Sequence, residues 1–213
     1  MFDGYIRDRE TADAFVPPPS TTTHGLGLLW EYRRGGYSVV VNGAWNRRLG
    51  WRAWGDPANP EESNAGYAKY TVSVARDFVL GPFQKIHVDG AWFGGEDLDR
   101  LSRYQFGLFE ATRIHGVPSS GLRFDDILMA RGAYSFNVFE QYRLDLFLDQ
   151  AWGRDRTFGD DRQPITGIGA AVNFRTPWWG TLLRADVGKA FLPGRYDGIG
   201  STVVQVMLQK PLR

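Results

Sequence analysis

Apolar and polar residues alternate with a period of two along most of the chain, a pattern typical of half-buried β-strands rather than helices. Residues 142–152 show it most clearly. One face carries Tyr142, Leu144, Leu146, Leu148 and Trp152, and the other carries Arg143, Asp145, Phe147, Asp149 and Ala151. The same division recurs in 70–78, 86–92 and 168–174. We predict nine strands, near residues 25–34, 37–48, 67–80, 83–94, 127–138, 142–153, 165–176, 179–191 and 201–212.

The connections between these strands alternate between short and long. Tight turns are predicted at 35–36, 80–82, 139–141 and 177–178, and long polar loops at 49–66, 95–126, 154–164 and 192–200. Antiparallel hairpins with tight turns at one end and long loops at the other are typical of outer-membrane barrels. The predicted strands are also longer than the roughly 5–6 residues usual in soluble sheets. We therefore predict an all-β fold, an antiparallel transmembrane β-barrel built as a meander of about nine to ten strands.

Aromatic residues cluster at the predicted tight turns. Such positions form an interfacial girdle in membrane barrels. The alternative is that they are core residues of a soluble sandwich, but the regular Arg, Asp and Asn on the opposite strand faces favour a hydrated or plugged lumen. The predicted girdle consists of Phe83, Phe139, Tyr142, Trp178 and Trp179.

Composition narrows the function classes. The 213 residues suit one domain, which we divide into an irregular segment 1–23 and a barrel region 24–213 that includes an inward-folding loop 95–126. The formal net charge is +1 and the basic residues are dispersed, so we predict no nucleic-acid partner. With 0 Cys, thiol catalysis and cysteine metal sites are excluded. No apolar run approaches the roughly 20 residues of a transmembrane helix.

No catalytic arrangement is recognisable. Ser119 and Ser120 have no neighbouring His and Asp of a nucleophile motif, and the chain has no HExxH or paired-His pattern. Asp145 and Asp149 share a face, but they are better explained as balancing Arg131, Arg143 and Arg184 than as an acid–base pair. We therefore predict no enzyme activity, no cofactor and no metal.

Four motifs occur in a fixed order in the second half of the chain. They are the loop-tip segment Ile114-His115-Gly116-Val117, the strand Phe147-Leu148-Asp149-Gln150-Ala151, the segment Thr176-Pro177-Trp178-Trp179-Gly180, and the strand Arg184-Ala185-Asp186-Val187-Gly188. In order and spacing they resemble the C-terminal barrel of the bacterial surface antigen superfamily, which includes BamA, TamA and the two-partner secretion transporters. The resemblance covers residues 83–212 and implies that the chain holds about the last nine strands of a sixteen-stranded barrel.

The resemblance implies a role for the loop tip. In the family, a loop arginine enters the lumen and binds an acidic site on the strands. Here His115 stands at the arginine position, so we expect Arg113, His115 and Gly116 to form the tip and Asp149 to be its partner. A hairpin with Val138 opposite Tyr142 also places Arg131 across from Asp149, so Arg131 is an alternative partner. Asp145, Arg184 and Asp186 complete the predicted polar residues of the lumen.

The resemblance also implies a function. We expect a protein of the bacterial outer membrane that acts in outer-membrane protein insertion and assembly or in polypeptide translocation. Its partners would be outer-membrane lipid, unfolded or exported polypeptides, and periplasmic accessory domains or proteins. One alternative is a non-transporting barrel that serves as a membrane anchor or small-ligand barrel for a domain encoded upstream. Another is a soluble ligand-binding barrel with its apolar strand faces turned inward.

Overall fold

The computed structural model describes residues 16–56, 59–61, 65–107, 111–117, 122–156, 161–176, 181–192 and 202–209. Nine long strands are present: β1 (Thr22–Arg34), β2 (Tyr37–Leu49), β5 (Gly66–Gly81), β6 (Gln84–Glu96), β9 (Asp126–Phe139), β10 (Tyr142–Arg154), β11 (Arg162–Arg175), β12 (Leu182–Phe191) and β13 (Thr202–Gln209). Four short strands accompany them: β3 (Trp54–Asp56), β4 (Asn59–Glu61), β7 (Tyr104–Gln105) and β8 (Arg123–Phe124). All nine predicted strands are confirmed, and the four short ones were not predicted.

The nine long strands form one antiparallel sheet in the order β1-β2-β5-β6-β9-β10-β11-β12-β13. The short strands form two separate two-stranded sheets, β3 with β4 and β7 with β8. Within the described part of the chain, β1 and β13 are the two edges of the large sheet. Because the number of strands is odd and every pairing is antiparallel, β1 and β13 run in the same direction.

Tight turns and long loops occupy opposite ends of the sheet, as the sequence predicts. The β1–β2 turn consists of Gly35 and Gly36, with φ of 55° and 81°. Two successive positive φ values fit the type I′ turn that matches strand twist, and glycine adopts them without strain. Two residues also join β5 to β6 and β9 to β10. The predicted turn at 177–178 lies outside the described residues.

The two faces of the sheet differ in exposure in the opposite sense to a soluble domain. On β10, Leu146 and Leu148 are 46% and 60% exposed, whereas Asp145 and Asp149 are 2% and 1% exposed. We call the first side the apolar face and the second the polar face. The apolar face extends over the whole sheet, with exposed residues that include Leu26, Leu28, Trp30, Val41, Trp45, Val74, Val88, Trp92, Leu128, Ile168, Val172, Val187, Val204 and Val206.

We call the segment between β6 and β9, residues 97–125, the β6–β9 loop, and its described residues include several that pack on the polar face. Its side chains Phe106, Ile114, Val117 and Phe124 join strand residues in a small hydrophobic core at the long-loop end of the sheet. The strand members of that core are Ala91, Phe93, Ile127, Met129, Ala151, Ile165 and Ala190. No helix among the described residues has the length and apolar character that crossing a membrane requires.

Candidate functional site

The tip of the β6–β9 loop lies on β10, β11 and β12. The backbone N–H of His115 donates to Asp149 Oδ2 at 2.7 Å, and His115 Nδ1 lies 2.6 Å from the same oxygen. Both residues are buried, since His115 is 8% exposed and Asp149 is 1% exposed. The structure thus brings together the loop-tip histidine and the acidic strand residue that the sequence paired. Because both contacts are made to one buried carboxylate, we expect them to contribute strongly to the docking of the loop.

Phe147 adds an aromatic contact to the same site. The His115 and Phe147 rings are stacked, with centroids 4.1 Å apart and planes 13° from parallel. The Arg184 guanidinium carbon lies 5.2 Å from the centroid of the Phe147 ring. Phe147 and Asp149 are two residues apart on one strand, so the pleat points both toward the loop. The sequence placed Phe147 on this face but did not assign it a role.

A second loop contact is made by Arg113, which donates to Asp186 Oδ2 at 2.9 Å. Arg184 donates to the same oxygen at 2.8 Å, and His115 Nε2 lies 3.7 Å from it. The predicted loop-tip residues Arg113 and His115 therefore reach acidic residues on two strands, β12 and β10.

Asp145 lies further along the same face, outside direct contact with the loop tip. Asn173 donates to its Oδ2 at 2.7 Å, and Arg143 donates to the same oxygen at 3.1 Å. Arg184 approaches this oxygen to 3.7 Å. The same-face carboxylates Asp145 and Asp149 thus each have hydrogen-bonding partners, and Arg184 links the site to Asp186.

Three glycines form the floor under the loop tip, and we call Gly167, Gly169 and Gly188 the glycine groove. A Cβ on Gly167 would lie 2.5 Å from the His115 carbonyl oxygen, and a Cβ on Gly188 would lie 2.5 Å from the Gly116 nitrogen. Gly116 itself has a φ of 82°, and a Cβ there would lie 2.1 Å from the Ala190 nitrogen. The loop backbone can approach the strands this closely only where side chains are absent.

Arg131 occupies a different place from the one that the alternative expectation gave it. It lies directly across from Asp149 in the β9–β10 register, as predicted, although a bulge pairs Tyr142 with Phe139 rather than Val138. Its guanidinium nevertheless binds Asp89, with Nη2 at 2.8 Å and Nε at 2.9 Å from Oδ2. Arg131 as the partner of Asp149 is therefore wrong. The reason is that Asp89 lies opposite Arg131 on β6 and binds it, while Asp149 is bound by His115.

The first part of the loop is anchored separately, near β2. Arg48 Nη1 donates to Asp99 Oδ2 at 2.5 Å, and both side chains are buried. The Arg48 guanidinium carbon lies 4.2 Å from the Trp51 ring centroid and 4.6 Å from that of Tyr67. Ser102 Oγ donates to Asp99 Oδ1 at 2.7 Å. This second anchor was not predicted, because Arg48 on β2 and Asp99 in the loop are distant in sequence and neither belongs to a motif.

Tyr104 ties the loop to β5 and β6, and Arg103 ties it to Asp125 at the end of the loop and to Asp155 just after β10. The Tyr104 hydroxyl donates toward the carbonyl oxygens of Tyr70 and Gly94, each at 3.1 Å. Burial raises the pKa of Tyr104, so its hydroxyl keeps its proton and its donor role. Arg103 binds Asp125 at 2.9 Å and Asp155 at 3.2 Å. The described part of the loop is thus attached to the sheet at more than its tip.

Three of the five predicted girdle residues are described, and they lie at the tight-turn end. Phe83, Phe139 and Tyr142 are 57%, 68% and 42% exposed. Tyr142 stacks on Phe174, with ring centroids 4.8 Å apart. Trp178 and Trp179 lie outside the described residues, as do Ser119 and Ser120. Among the residues that are described, no three His, Cys, Asp or Glu side chains come together as a metal site.

The arrangement is suited to holding a long loop against a sheet. Its charged groups are engaged with one another: His115 with Asp149, Arg113 and Arg184 with Asp186, and Arg131 with Asp89. In a comparison with models of known protein families, no family model matches this chain. In a comparison with curated proteins, no protein matches it. The family named by the sequence resemblance therefore stays a prediction.

Proposed function

We propose that the nine-stranded sheet is part of a bacterial outer-membrane β-barrel, with its apolar face against lipid and the β6–β9 loop inside. The observation that carries this proposal is the inverted exposure of the two faces. Leu28 and Val206 are 75% and 69% exposed, whereas Asp145, Asp149 and Asp186 are buried. Soluble proteins rarely expose contiguous apolar patches larger than a few hundred Å². Lipid-facing apolar residues alternating with interior polar residues are the pattern of membrane barrels.

The docked loop argues against a soluble barrel with an apolar interior. In such a barrel the apolar face would have to be the inner one, and Leu146 and Leu148 would be covered. Instead the loop covers the polar face, where Phe106 and Phe124 are fully buried. The polar face is therefore the interior side in this fold.

Strand length and aromatic placement support the same proposal. β9 and β11 have 14 residues each, and β10 has 13. About 9–11 residues suffice for a tilted strand to cross the hydrocarbon core. Exposed Phe83, Phe139 and Tyr142 lie at the tight-turn end, where a barrel places one of its aromatic girdles.

The directions of the two edge strands, β1 and β13, determine how many further strands such a barrel needs in order to close. A membrane does not tolerate unpaired strand edges, so β1 and β13 would each require a partner strand. Since β1 and β13 run in the same direction, fully antiparallel closure requires an odd number of further strands. The sixteen-stranded barrel implied by the resemblance would supply seven, which is an odd number.

For the activity, we propose insertion or translocation of outer-membrane polypeptides. The support is that the loop tip contacts the two strands that carry the family-like motifs. His115 binds Asp149 on β10, and Arg113 binds Asp186 on β12. The resemblance to the surface antigen superfamily rests on the same segments, so motif and geometry point to one loop-plugged site.

Reconstitution tests the proposal in two steps. The full chain is folded with liposomes, floated on a density gradient and washed with alkaline carbonate. We expect it to remain with the bilayer; a chain that stays soluble would contradict the membrane proposal. The second step measures how fast an unfolded porin inserts into the same liposomes. Acceleration by the wild-type chain, reduced in Asp149→Ala and retained in Asp77→Ala, would support polypeptide insertion. A membrane-embedded chain without acceleration would instead indicate an anchor.

A further inference from the structure

A cavity of about 180 Å³ lies between the loop tip and the sheet. Loop residues Arg113 and His115 form one side, and Phe147, Asp149 and Arg184 from β10 and β12 are among the strand residues that line it. At about 30 Å³ of liquid volume per water molecule, the cavity has room for about six waters. A phosphate or a carboxylate group with part of its hydration shell needs no more room than this.

Basic donors outnumber acceptors at one end of this cavity. Asp186 Oδ2 accepts hydrogen bonds from Arg113 Nη2 and from both Nε and Nη2 of Arg184. One carboxylate oxygen therefore serves two guanidinium groups. A carboxylate oxygen has about two lone-pair sites. Its accepting capacity is consequently exhausted by the groups already bound.

Two buried polar atoms beside Asp186 have no hydrogen-bond partner among the described residues. They are Arg113 Nε and His115 Nε2. Arg113 Nε always carries a proton to donate, and a histidine nitrogen donates or accepts according to its tautomer. A buried donor left without an acceptor is destabilising, so such atoms in a cavity indicate a missing partner.

The other carboxylates at the cavity do not supply that partner. Asp149 Oδ2 accepts the backbone N–H and faces Nδ1 of His115, and Asp89 binds Arg131 through both of its oxygens. The cavity lining as a whole contains three arginines and two carboxylates. Asp186, which binds two of these arginines, is not among the lining residues, so the lining itself presents more guanidinium groups than carboxylates.

We propose that this cavity binds a small oxyanion, either a phosphate or a carboxylate group, through Arg113 and Arg184. Planar guanidinium groups bind both kinds of oxyanion in paired hydrogen bonds. Because Arg113 belongs to the loop and Arg184 to β12, the bound oxyanion links the loop to the sheet. It therefore stabilises the docked loop by a free energy that rises with the logarithm of one plus the ratio of the ligand concentration to Kd. The proposal rests on the docked loop of the proposed function, but not on membrane insertion.

The test is calorimetric titration of the full chain in detergent micelles with inorganic phosphate and, separately, with acetate, at ionic strength held constant with chloride. We expect saturable binding in the millimolar range or tighter. Arg113→Lys and Arg184→Lys keep the charge but lose the guanidinium fork, and each should weaken binding roughly tenfold. Arg33→Lys, on an arginine whose side chain is 75% exposed on β1, is the matched control and should bind as the wild type does. The ligand should also slow proteolysis of the loop.

The outcomes separate the sources of the oxyanion and the two proposals. Binding of phosphate alone identifies a phosphate group as the ligand, and binding of acetate alone identifies a carboxylate. Binding of neither, or equal binding by the wild type and both cavity variants, overturns the oxyanion site. If the chain proves soluble without detergent, the membrane proposal fails, and the same titration in plain buffer still tests the cavity.

Discussion

Along both β10 and β1, residues alternate between the apolar face and the polar face. The polar faces of these two strands nevertheless have very different surroundings. On β10, Asp145, Asp149 and Ala151 are buried beneath or beside the loop. On β1 every residue is exposed, including Leu29, which belongs to the polar face by register and is 66% exposed. The difference is the β6–β9 loop, whose tip lies on β10 to β12 and leaves β1 uncovered.

Alternation sets the faces, whereas contacts from the docked loop and from neighbouring strand side chains determine which polar residues are buried. The loop tip has matched partners on β10, β11 and β12. Two carboxylates bind the tip, and the glycine groove makes room for its backbone. β1 has Gly25, Gly27, Glu31 and Arg33 on its polar face, and all four are exposed. Disrupting the partners should therefore make the polar face of β10 resemble that of β1.

The largest effect is expected from Asp149→Ala. The substitution removes the acceptor of the His115 N–H and the partner of its ring nitrogen, and it leaves both groups buried. We expect loop docking to weaken by about 3 kcal/mol, a roughly hundredfold rise in the undocked population. The rate of limited proteolysis within the loop measures it. Asp77→Ala, whose side chain is 40% exposed, is the control and should change docking by less than about 1 kcal/mol. Equal rates in both variants would show that Asp149 does not hold the loop.

The next effect is expected from adding one methyl group to the glycine groove. In Gly188→Ala the new Cβ would lie 2.5 Å from the Gly116 nitrogen, a backbone atom that can move only with the loop. We expect docking to weaken by about 2 kcal/mol. Hydrogen exchange of the loop amides measures this effect. Gly43→Ala on β2 adds the same methyl group with no atom within 4 Å and should leave exchange unchanged. Unchanged exchange in Gly188→Ala would mean that the groove is not required.

A smaller effect is expected from His115→Ala. The substitution removes the ring contact with Phe147 and one contact with Asp149, but the backbone N–H of residue 115 still reaches Asp149. We expect docking to weaken by about 1–2 kcal/mol, less than in Asp149→Ala. The same proteolysis assay measures it. Loop cleavage at the wild-type rate would show that the histidine side chain does not anchor the loop.

The strands were predictable because the sequence of each strand and of its adjacent turn is sufficient to identify it. Alternation identifies a strand from its own residues, and a tight turn fixes the register of its hairpin. For that reason Arg131 was correctly placed across from Asp149. The choice of Asp89 as its ion-pair partner depends on the β6–β9 register. A loop of 29 residues separates these strands, so no turn fixes that register from the sequence.

The site was partly predictable for a related reason. His115 and Asp149 could be paired because each stands in a motif, whereas Arg48 and Asp99 stand in none. The glycine groove gave a signal that could have been read, since Gly167, Gly169 and Gly188 fall on the polar face of β11 and β12. The glycines alone do not show which segment packs against them, because the loop tip is distant in sequence.

The most direct test of the account uses the absence of cysteine from the chain. Single cysteines are introduced at positions 144 to 149 of β10, spin-labelled and reconstituted in liposomes, and their collision rates with oxygen and with a water-soluble nickel complex are measured. We expect the collision rate with oxygen to alternate from one position to the next, with positions 144, 146 and 148 accessible to oxygen in the lipid. Positions 145, 147 and 149 should be shielded from oxygen. If positions 146 and 148 are instead accessible to the nickel complex and not to oxygen, the apolar face contacts water and the account is contradicted.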